Sequence, residues 1–594
     1  MRRLTTAILL AATSAMMLIS TESKACTNVL VTKGASTDGS NMISYAADSH
    51  QLFGELYFKK GGFWKAGEMR KINEWDTGKY LGDIPQVPVT YKRVGNMNEH
   101  QLIIAETTYG GRHELFDSTG VMDYGSLIYV ALERAKTARE AIRIIVDLAN
   151  EYGYYSSGES FSIADKDEVW VMDLIGKGHK LVDGKNVRKG IVWVARRVPD
   201  GYICAHANQA RISTFPQNDP ENCMFAPDVI SFARDMGYFN GEDKDFSFCD
   251  AYAPLDFMGM RGCEARAWSA FNILCDGKFT FEDENGNVIT KDANDYLDYA
   301  MGYDQTKRFP LFVKPSRKIS MKNVADVMRD HYEGTPMDMT QDIGAGGNAL
   351  PYRWRPMGFS HEGKSYMNER AIATQQTGFW FVGQSRGWMP DAIGGVNWFG
   401  CDDAATSYLT PIYTCINEVP ECFREGNGNM ITYSPTSAFW VTNRVANACY
   451  KAYNIMFPTV DAAIDAWENE MVAAVAEADK KALELYNAAG KKPAKQIRRS
   501  DKAPKVADQY ASVHEYLTAF SVDNAQKIFN KWVDLEVLLL VKFIDGNVKA
   551  QNEDGSFVTN EHTNCIPDKI TQPGYTAKWK ACVAADHGKV VEVK

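Results

Sequence analysis

Apolar runs of strand length, separated by turn-forming clusters, dominate the first third of the chain. Val29-Leu30-Val31 and Met42-Ile43-Ser44-Tyr45 flank a turn cluster at Gly34 to Gly39, which predicts a hairpin. Leu102-Ile103-Ile104-Ala105 and Ile191-Val192-Trp193-Val194 read as further strands. Phe161-Ser162-Ile163-Ala164 and Val169-Trp170-Val171-Met172 enclose Asp165-Lys166-Asp167, a second hairpin. One helix is well marked among these strands. Thr137-Ala138-Arg139-Glu140 has capping-box spacing, Ile142, Ile145, Leu148 and Ala149 form an apolar stripe, and Gly153 is its stop. Mixed strands and helices place the chain in an α+β or layered α/β class.

The last third changes character. Residues 459–489 are rich in Ala, Glu and Lys with no Gly or Pro, and predict a long helix. The basic stretch 491–505, with Pro493 and Pro504, reads as a solvated linker rather than a nucleic-acid contact. Residues 508–543 predict one or two helices, broken near Ser521. The tail after Gly546 is polar and turn-rich. The expected organisation is a leader at 1–25, a main domain at 26–450, a helical region at 451–545 and a tail at 546–594.

The first residues bear on compartment. Arg2 and Arg3 precede an apolar stretch from Ala7 to Ile19, and small residues stand at Ser23 and Ala25. This is the layout of a secretory signal peptide cleaved after Ala25. Its apolar core is too short to stay as a membrane anchor, and no later run reaches spanning length. An exported, periplasmic or secreted protein is expected. The net charge of −10 argues against a nucleic-acid partner. Twelve cysteines include no C-x-x-C pair, so zinc ribbons and thioredoxin-like motifs lack support. Export permits disulfides, with Cys415–Cys422 and Cys263–Cys275 as candidates whose connectivity the sequence does not give.

Cleavage after Ala25 makes Cys26 the first residue. An α-amine has an ordinary pKa of about 7.7–8.0 and a thiol about 8.5. One residue then carries both nucleophile and base, and the amine can take the thiol proton and return it to the leaving group. The competing reading is a lipoprotein, but Ser23 stands where that signal wants an apolar residue.

The run Cys26-Thr27-Asn28-Val29-Leu30-Val31, followed by Gly34-Ala35-Ser36 and Asp38-Gly39-Ser40, resembles the opening of the C69 dipeptidases. That family belongs to the N-terminal nucleophile hydrolases. Similar blocks follow at Met97-Asn98-Glu99, Ala105-Glu106-Thr107-Thr108, Leu132 to Ala141, Ser160 to Asp165, Trp193 to Pro199 and Ala207 to Ile212. Arg329-Asp330-His331-Tyr332-Glu333-Gly334-Thr335-Pro336, Gln384-Ser385-Arg386 and Trp398-Phe399-Gly400 extend the likeness to roughly residue 450.

The resemblance implies a four-layer αββα sandwich with a helical C-terminal extension. It makes Asn208 the side-chain donor to the oxyanion and Thr108 the source of a second, backbone donor. Asp48 matches an aspartate that holds the amine of the nucleophile. Relatives often place an arginine three residues before it, where this chain has Tyr45. Arg266, in Glu264-Ala265-Arg266-Ala267-Trp268, lies in an arginine-bearing segment of the family and can supply that positive charge. A surface salt bridge is the alternative for Arg266.

Two rivals stand beside Cys26. Gly383-Gln384-Ser385-Arg386-Gly387 fits G-x-S-x-G, but Gly387 and Pro390 oppose the helix that a nucleophile elbow needs. His331 is a candidate base with no assignable carboxylate partner. No H-E-x-x-H is present, and no metal or organic cofactor is expected. The expectation is an exported cysteine dipeptidase acting on dipeptides or short peptides, with Glu106 a candidate for the substrate amine. Alternatives are an amidase of N-acyl amino acids, of the bile salt hydrolase or penicillin V acylase type, and a lipid-anchored surface binding protein. A homo-oligomer is left open.

Overall fold

A computed structural model describes residues 26–283, 285–354, 356–490 and 508–593. The leader and the 491–505 linker lie outside the described residues.

Fifteen strands build two large sheets. In chain order they are β1 (Asn28–Val31), β2 (Asn41–Asp48), β3 (Phe58–Lys59), β4 (Arg93–Val94), β5 (Met97–Asn98), β6 (Ile103–Tyr109), β7 (Gly158–Ala164) and β8 (Val169–Gly176). They continue as β9 (Ile191–Arg197), β10 (Ile203–His206), β11 (Cys223–Phe225), β12 (Phe312–Val313), β13 (Thr377–Ser385), β14 (Gly395–Cys401) and β15 (Thr410–Tyr413). The first sheet runs β12-β10-β1-β2-β13-β14-β15 and the second β11-β9-β8-β7-β6-β5-β4-β3. The expected hairpins both form, pairing Leu30 with Ile43 and Ala164 with Val169.

The sheets meet where β2 packs on β6 and β7. A Cβ added at Gly383 of β13 would come within 3.1 Å of Met97 and 3.2 Å of Ile103, so glycine lets the layers close. Most central strands are buried along their whole length, β2, β7, β8 and β13 among them. This is why they read as apolar runs and not as strict alternation. Trp170, Trp380 and Trp398 are fully buried, each large side chain contributing roughly 1.5–3 kcal/mol by its burial.

Helices α1 (Tyr124–Arg134) and α2 (Ala138–Tyr152) pack on the second sheet, touching β6 and β7. Thr137 caps α2 as expected, its hydroxyl accepting from Glu140 N, while the Glu140 carboxylate reaches one residue further back, to Lys136 N. Helices α3 (Ala265–Leu274) and α4 (Met321–Met328) pack on β10 and β2 of the first sheet. The molecule is thus mixed α/β, with helices against two facing sheets.

The C-terminal helices are α5 (Ala438–Cys449), α6 (Tyr453–Gly490) and α7 (Ala511–Lys542), and α6 and α7 pack together and onto β15. The break expected near Ser521 is absent, and α7 runs through it. Ser521 is buried and its hydroxyl accepts from Tyr413 N at 3.2 Å, so the polar residue serves β15 instead of ending the helix. The turn-rich tail also contains a helix, Ala577–His587.

All twelve cysteines are free, which corrects both disulfide candidates. Cys263 and Cys275 lie at opposite ends of one helical stretch. Twelve residues of helix separate them by about 18 Å, far beyond bridging distance. Cys415 and Cys422 are both buried thiols, and Cys422 faces Ala525 O of α7. No helix among the described residues is long and apolar enough to cross a membrane.

Candidate active site

Strand register brings the site together. Asn28 pairs with His206, so Cys26, two residues before the one, lies across from Asn208, two residues after the other. Thr27 bridges Ala46, which sets Cys26 beside the end of β2, where Asp48 stands at a β-bulge. Asn208 adopts φ +52°, a left-handed conformation that asparagine tolerates better than most residues.

Arg266 closes the group. It is fully buried, so the surface salt bridge is excluded. Its guanidinium donates to Cys26 O at 2.7 Å, Thr27 Oγ1 at 2.8 Å, Asn208 Oδ1 at 2.7 Å and Gly262 O at 2.9 Å. The fixed fork of donors ties the nucleophile's own carbonyl to the asparagine side chain. Arg266 therefore orients the backbone and amide around Cys26; the thiol itself meets other groups.

Asn208 Nδ2 donates to Thr108 O at 2.6 Å. Thr108 thus turns its carbonyl to Asn208, while its hydroxyl donates to Glu159 Oε2 at 3.0 Å. The expected role of Thr108 was a backbone amide; the contact seen here is through its carbonyl.

Asp48 is fully buried. Arg370 Nη2 pairs with its Oδ2 at 2.5 Å and Thr377 Oγ1 donates to its Oδ1 at 2.6 Å. Burial pushes the Asp48 carboxyl up, with Arg370 and Thr377 pulling it back. No sequence signal pointed to Arg370, which lies more than three hundred residues from its partner in the chain.

The Cys26 thiol is buried and faces Glu106 Oε1 at 3.5 Å and Tyr45 Oη at 3.8 Å. Tyr45 Oη donates to Glu106 Oε1 at 2.6 Å. Burial raises the thiol pKa well above its usual value, and the carboxylates of Glu106 and Asp48 raise it further. The Asp48 backbone and the Tyr45 hydroxyl oppose this only in part. A thiol so placed keeps its proton until a base removes it in step with attack. Glu106 lies within β6, one residue past the apolar run Leu102–Ala105 read from the sequence, and Glu159 of β7 was missed altogether. A lone acid in the otherwise uncharged, fully buried strand Gly158–Ala164 was its signal.

The rivals fall away from this centre. Ser385 ends β13, paired with Asn41 and Gly395, and the chain returns as β14 after one short helical turn. Its hydroxyl is buried with no hydrogen-bond partner among the described residues. His331 Nδ1 meets Glu333 at 3.0 Å, and its ring edge packs on Tyr352. The surrounding block is a brace: Asp330 accepts from Ser269 of α3 at 2.7 Å, and Tyr332 Oη donates to Arg370 O at 2.6 Å. It thereby steadies both the helix that carries Arg266 and the segment that carries Arg370. Among the described residues, no cluster of His, Cys, Asp and Glu side chains is arranged to hold a metal.

Residues 25–63 and 64–466 match the model of peptidase family C69. The chain belongs to peptidase family C69. Its C69 relatives are distant in sequence. It is similar to a probable dipeptidase of Latilactobacillus sakei, 24% identical over 481 residues, covering 77% of this chain and 88% of that protein. It is similar to a probable dipeptidase of Salmonella dublin, 24% identical over 423 residues, covering 66% and 81%. Dipeptidase A of Lactobacillus helveticus is 22% identical, covering 72% and 83%. The C69 match begins at the residue before Cys26 and ends within α6, so it takes in the whole constellation described above.

Proposed function

We propose that this C69 peptidase is an exported cysteine dipeptidase of the N-terminal nucleophile type, with the two facing sheets and their helices as an αββα sandwich. Cleavage after Ala25 frees the α-amine of Cys26. The amine takes the thiol proton, the sulfur attacks the scissile carbonyl, and the proton passes to the leaving amine. Water then releases the acyl group by the same route in reverse. Asp48, held by Arg370 and Thr377, holds the amine. Asn208, set by Arg266 and Thr108, donates to the oxyanion.

The observation that carries this reading is the convergence on one cysteine of Asn208, Arg266 and Asp48 from three separate parts of the chain. The names of the relatives point to dipeptides as substrates. Intact mass of the exported protein, paired with a dipeptide-library assay, tests it. The expected finding is an unmodified N-terminal Cys26 and hydrolysis of dipeptides. A chain that stably retains Ala25 and is fully active contradicts it, as does a diacylglycerol on Cys26.

A further inference from the structure

Five glutamates are buried among the described residues: Glu106, Glu133, Glu159, Glu264 and Glu468. Three have cations against them. Glu133 meets Lys59, Arg70 and Arg93, Glu264 meets Arg211, and Glu468 meets Arg329. Glu106 and Glu159, 1% and 0% exposed, have none among the described residues. A buried carboxylate without a counter-charge is costly, and each of the other three buried glutamates avoids it.

The two side chains sit together. Glu159 stands opposite Thr108 on the β6–β7 ladder, and Glu106 is two residues before Thr108 on the same face. Thr108 Oγ1 takes one oxygen of Glu159, and Tyr45 Oη takes one oxygen of Glu106. Glu106 Oε2 and Glu159 Oε1 are buried and meet no donor from a third residue among the described residues; the two carboxyls hydrogen-bond only each other there. Tyr45 is itself informative: it orients Glu106 as a neutral donor, where an arginine would have cancelled the charge.

We propose that Glu106 and Glu159 form the subsite for the substrate's free α-ammonium, and so restrict the enzyme to peptides with an unblocked N-terminus. This rests on Cys26 being the nucleophile, as proposed above. Sulfur in position to attack lies about 3–3.5 Å from the scissile carbonyl carbon. In an unblocked dipeptide the ammonium nitrogen lies about 2.5 Å from that carbon. The ammonium must therefore fall within about 6 Å of Sγ, and Glu106 Oε1 is 3.5 Å from Sγ. An ammonium brings one positive charge and three donors to a pair whose Oε2 and Oε1 atoms have no donor from a third residue. Burial raises the pKa of both acids; the charge of Glu106 and its hydrogen bond raise that of Glu159 further, while hydrogen bonds with Glu159 and Tyr45 hold that of Glu106 back. The empty pair accordingly holds one shared proton and one net negative charge, which the ammonium neutralises. An N-acylated substrate puts a neutral group there and leaves both acids desolvated without a partner. Sites built to bind a polar group reject analogues lacking it strongly.

The test compares Ala-Ala with N-acetyl-Ala-Ala in the mature enzyme. The wild type should favour Ala-Ala in kcat/KM by roughly a hundredfold or more. Glu159→Gln mimics the protonated acid and should keep most of that preference. The isosteric but uncharged double variant Glu106→Gln/Glu159→Gln should bring it within about tenfold of unity. Equal cleavage of both substrates by the wild type, or an undiminished preference in the folded double variant, overturns the subsite and leaves the dipeptidase reading intact. A second arm needs no turnover: alkylation of Cys26 is timed in the presence of alaninamide or N-acetylalaninamide. Only alaninamide should slow it in the wild type. That result without any dipeptide hydrolysis would sink the dipeptidase reading and keep the subsite. Equal effects of the two amides overturn the subsite, and this comparison stands even if the double variant fails to fold.

Discussion

Arg266 Nη2 donates to Asn208 Oδ1 at 2.7 Å inside the protein. An asparagine that serves an oxyanion has to present its N–H side and hide its oxygen, and a buried guanidinium on the oxygen enforces that choice. Asn208→Ala should lower kcat by roughly 10²–10³ with KM changed only a few-fold. Arg266→Lys keeps the charge but loses the fork that spans Cys26 O and Asn208 Oδ1, and should lower kcat by about tenfold or more. Steady-state kinetics on one dipeptide decides both. A loss confined to KM would make Asn208 a substrate-binding residue only.

Asp48 and Arg370 give a stability prediction. Arg370→Met leaves the Asp48 carboxyl buried without its cation and should cost about 3–5 kcal/mol. Adding Asp48→Asn should recover much of this, because the uncompensated charge is then gone. Urea unfolding of the two variants measures it. A single variant as stable as the wild type would contradict the ion pair.

How much of this could be read from the sequence depended on distance along the chain. Cys26, Asn208 and Asp48 were legible because hairpin and strand signals are local, and because the resemblance fixed residues 26 and 208 separately. Arg370 was not legible, since its partner lies on β2 and only tertiary packing joins them. Ser521 looked like a helix break because its polarity was weighed without the Tyr413 amide that it satisfies. Cys263 and Cys275 looked like a pair only until the helix between them set their separation. Glu106 was legible as a candidate for the substrate amine, but its place inside a buried strand was not, because the apolar run read from the sequence stops at Ala105; its neighbour Glu159 needed the β6–β7 register to connect the two.

Asp402 sets the sign of one pH effect on stability. It is buried, and burial together with neighbouring Asp403 pushes its pKa to about 8. The unfolded carboxyl loses its proton near pH 4, at about 3.9. Between these values the folded state holds a proton that the unfolded state has released, so this group's contribution falls as pH rises, by about 1.4 kcal/mol per unit at most. Asp402→Asn should therefore be more stabilising, or less destabilising, at pH 8 than at pH 5. Denaturant midpoints across that range check it, and a difference of the opposite sign contradicts it.

Ser385→Ala should leave both kcat and stability within a few-fold and a few tenths of a kcal/mol of the wild type, since its hydroxyl has no partner to lose. The same dipeptide assay and a thermal melt are sufficient. A large loss of kcat in a folded Ser385→Ala enzyme would return the G-x-S-x-G segment to the chemistry.

The most direct test is the rate of dipeptide hydrolysis by mature Cys26→Ala, measured beside the wild type at matched concentration. The substitution removes the sulfur and leaves the α-amine, Asp48, Asn208 and Arg266 in place, so an acyl-enzyme can no longer form. Hydrolysis should fall to the uncatalysed background while the protein stays folded. A folded Cys26→Ala enzyme that retains a substantial fraction of wild-type kcat would place the nucleophile elsewhere.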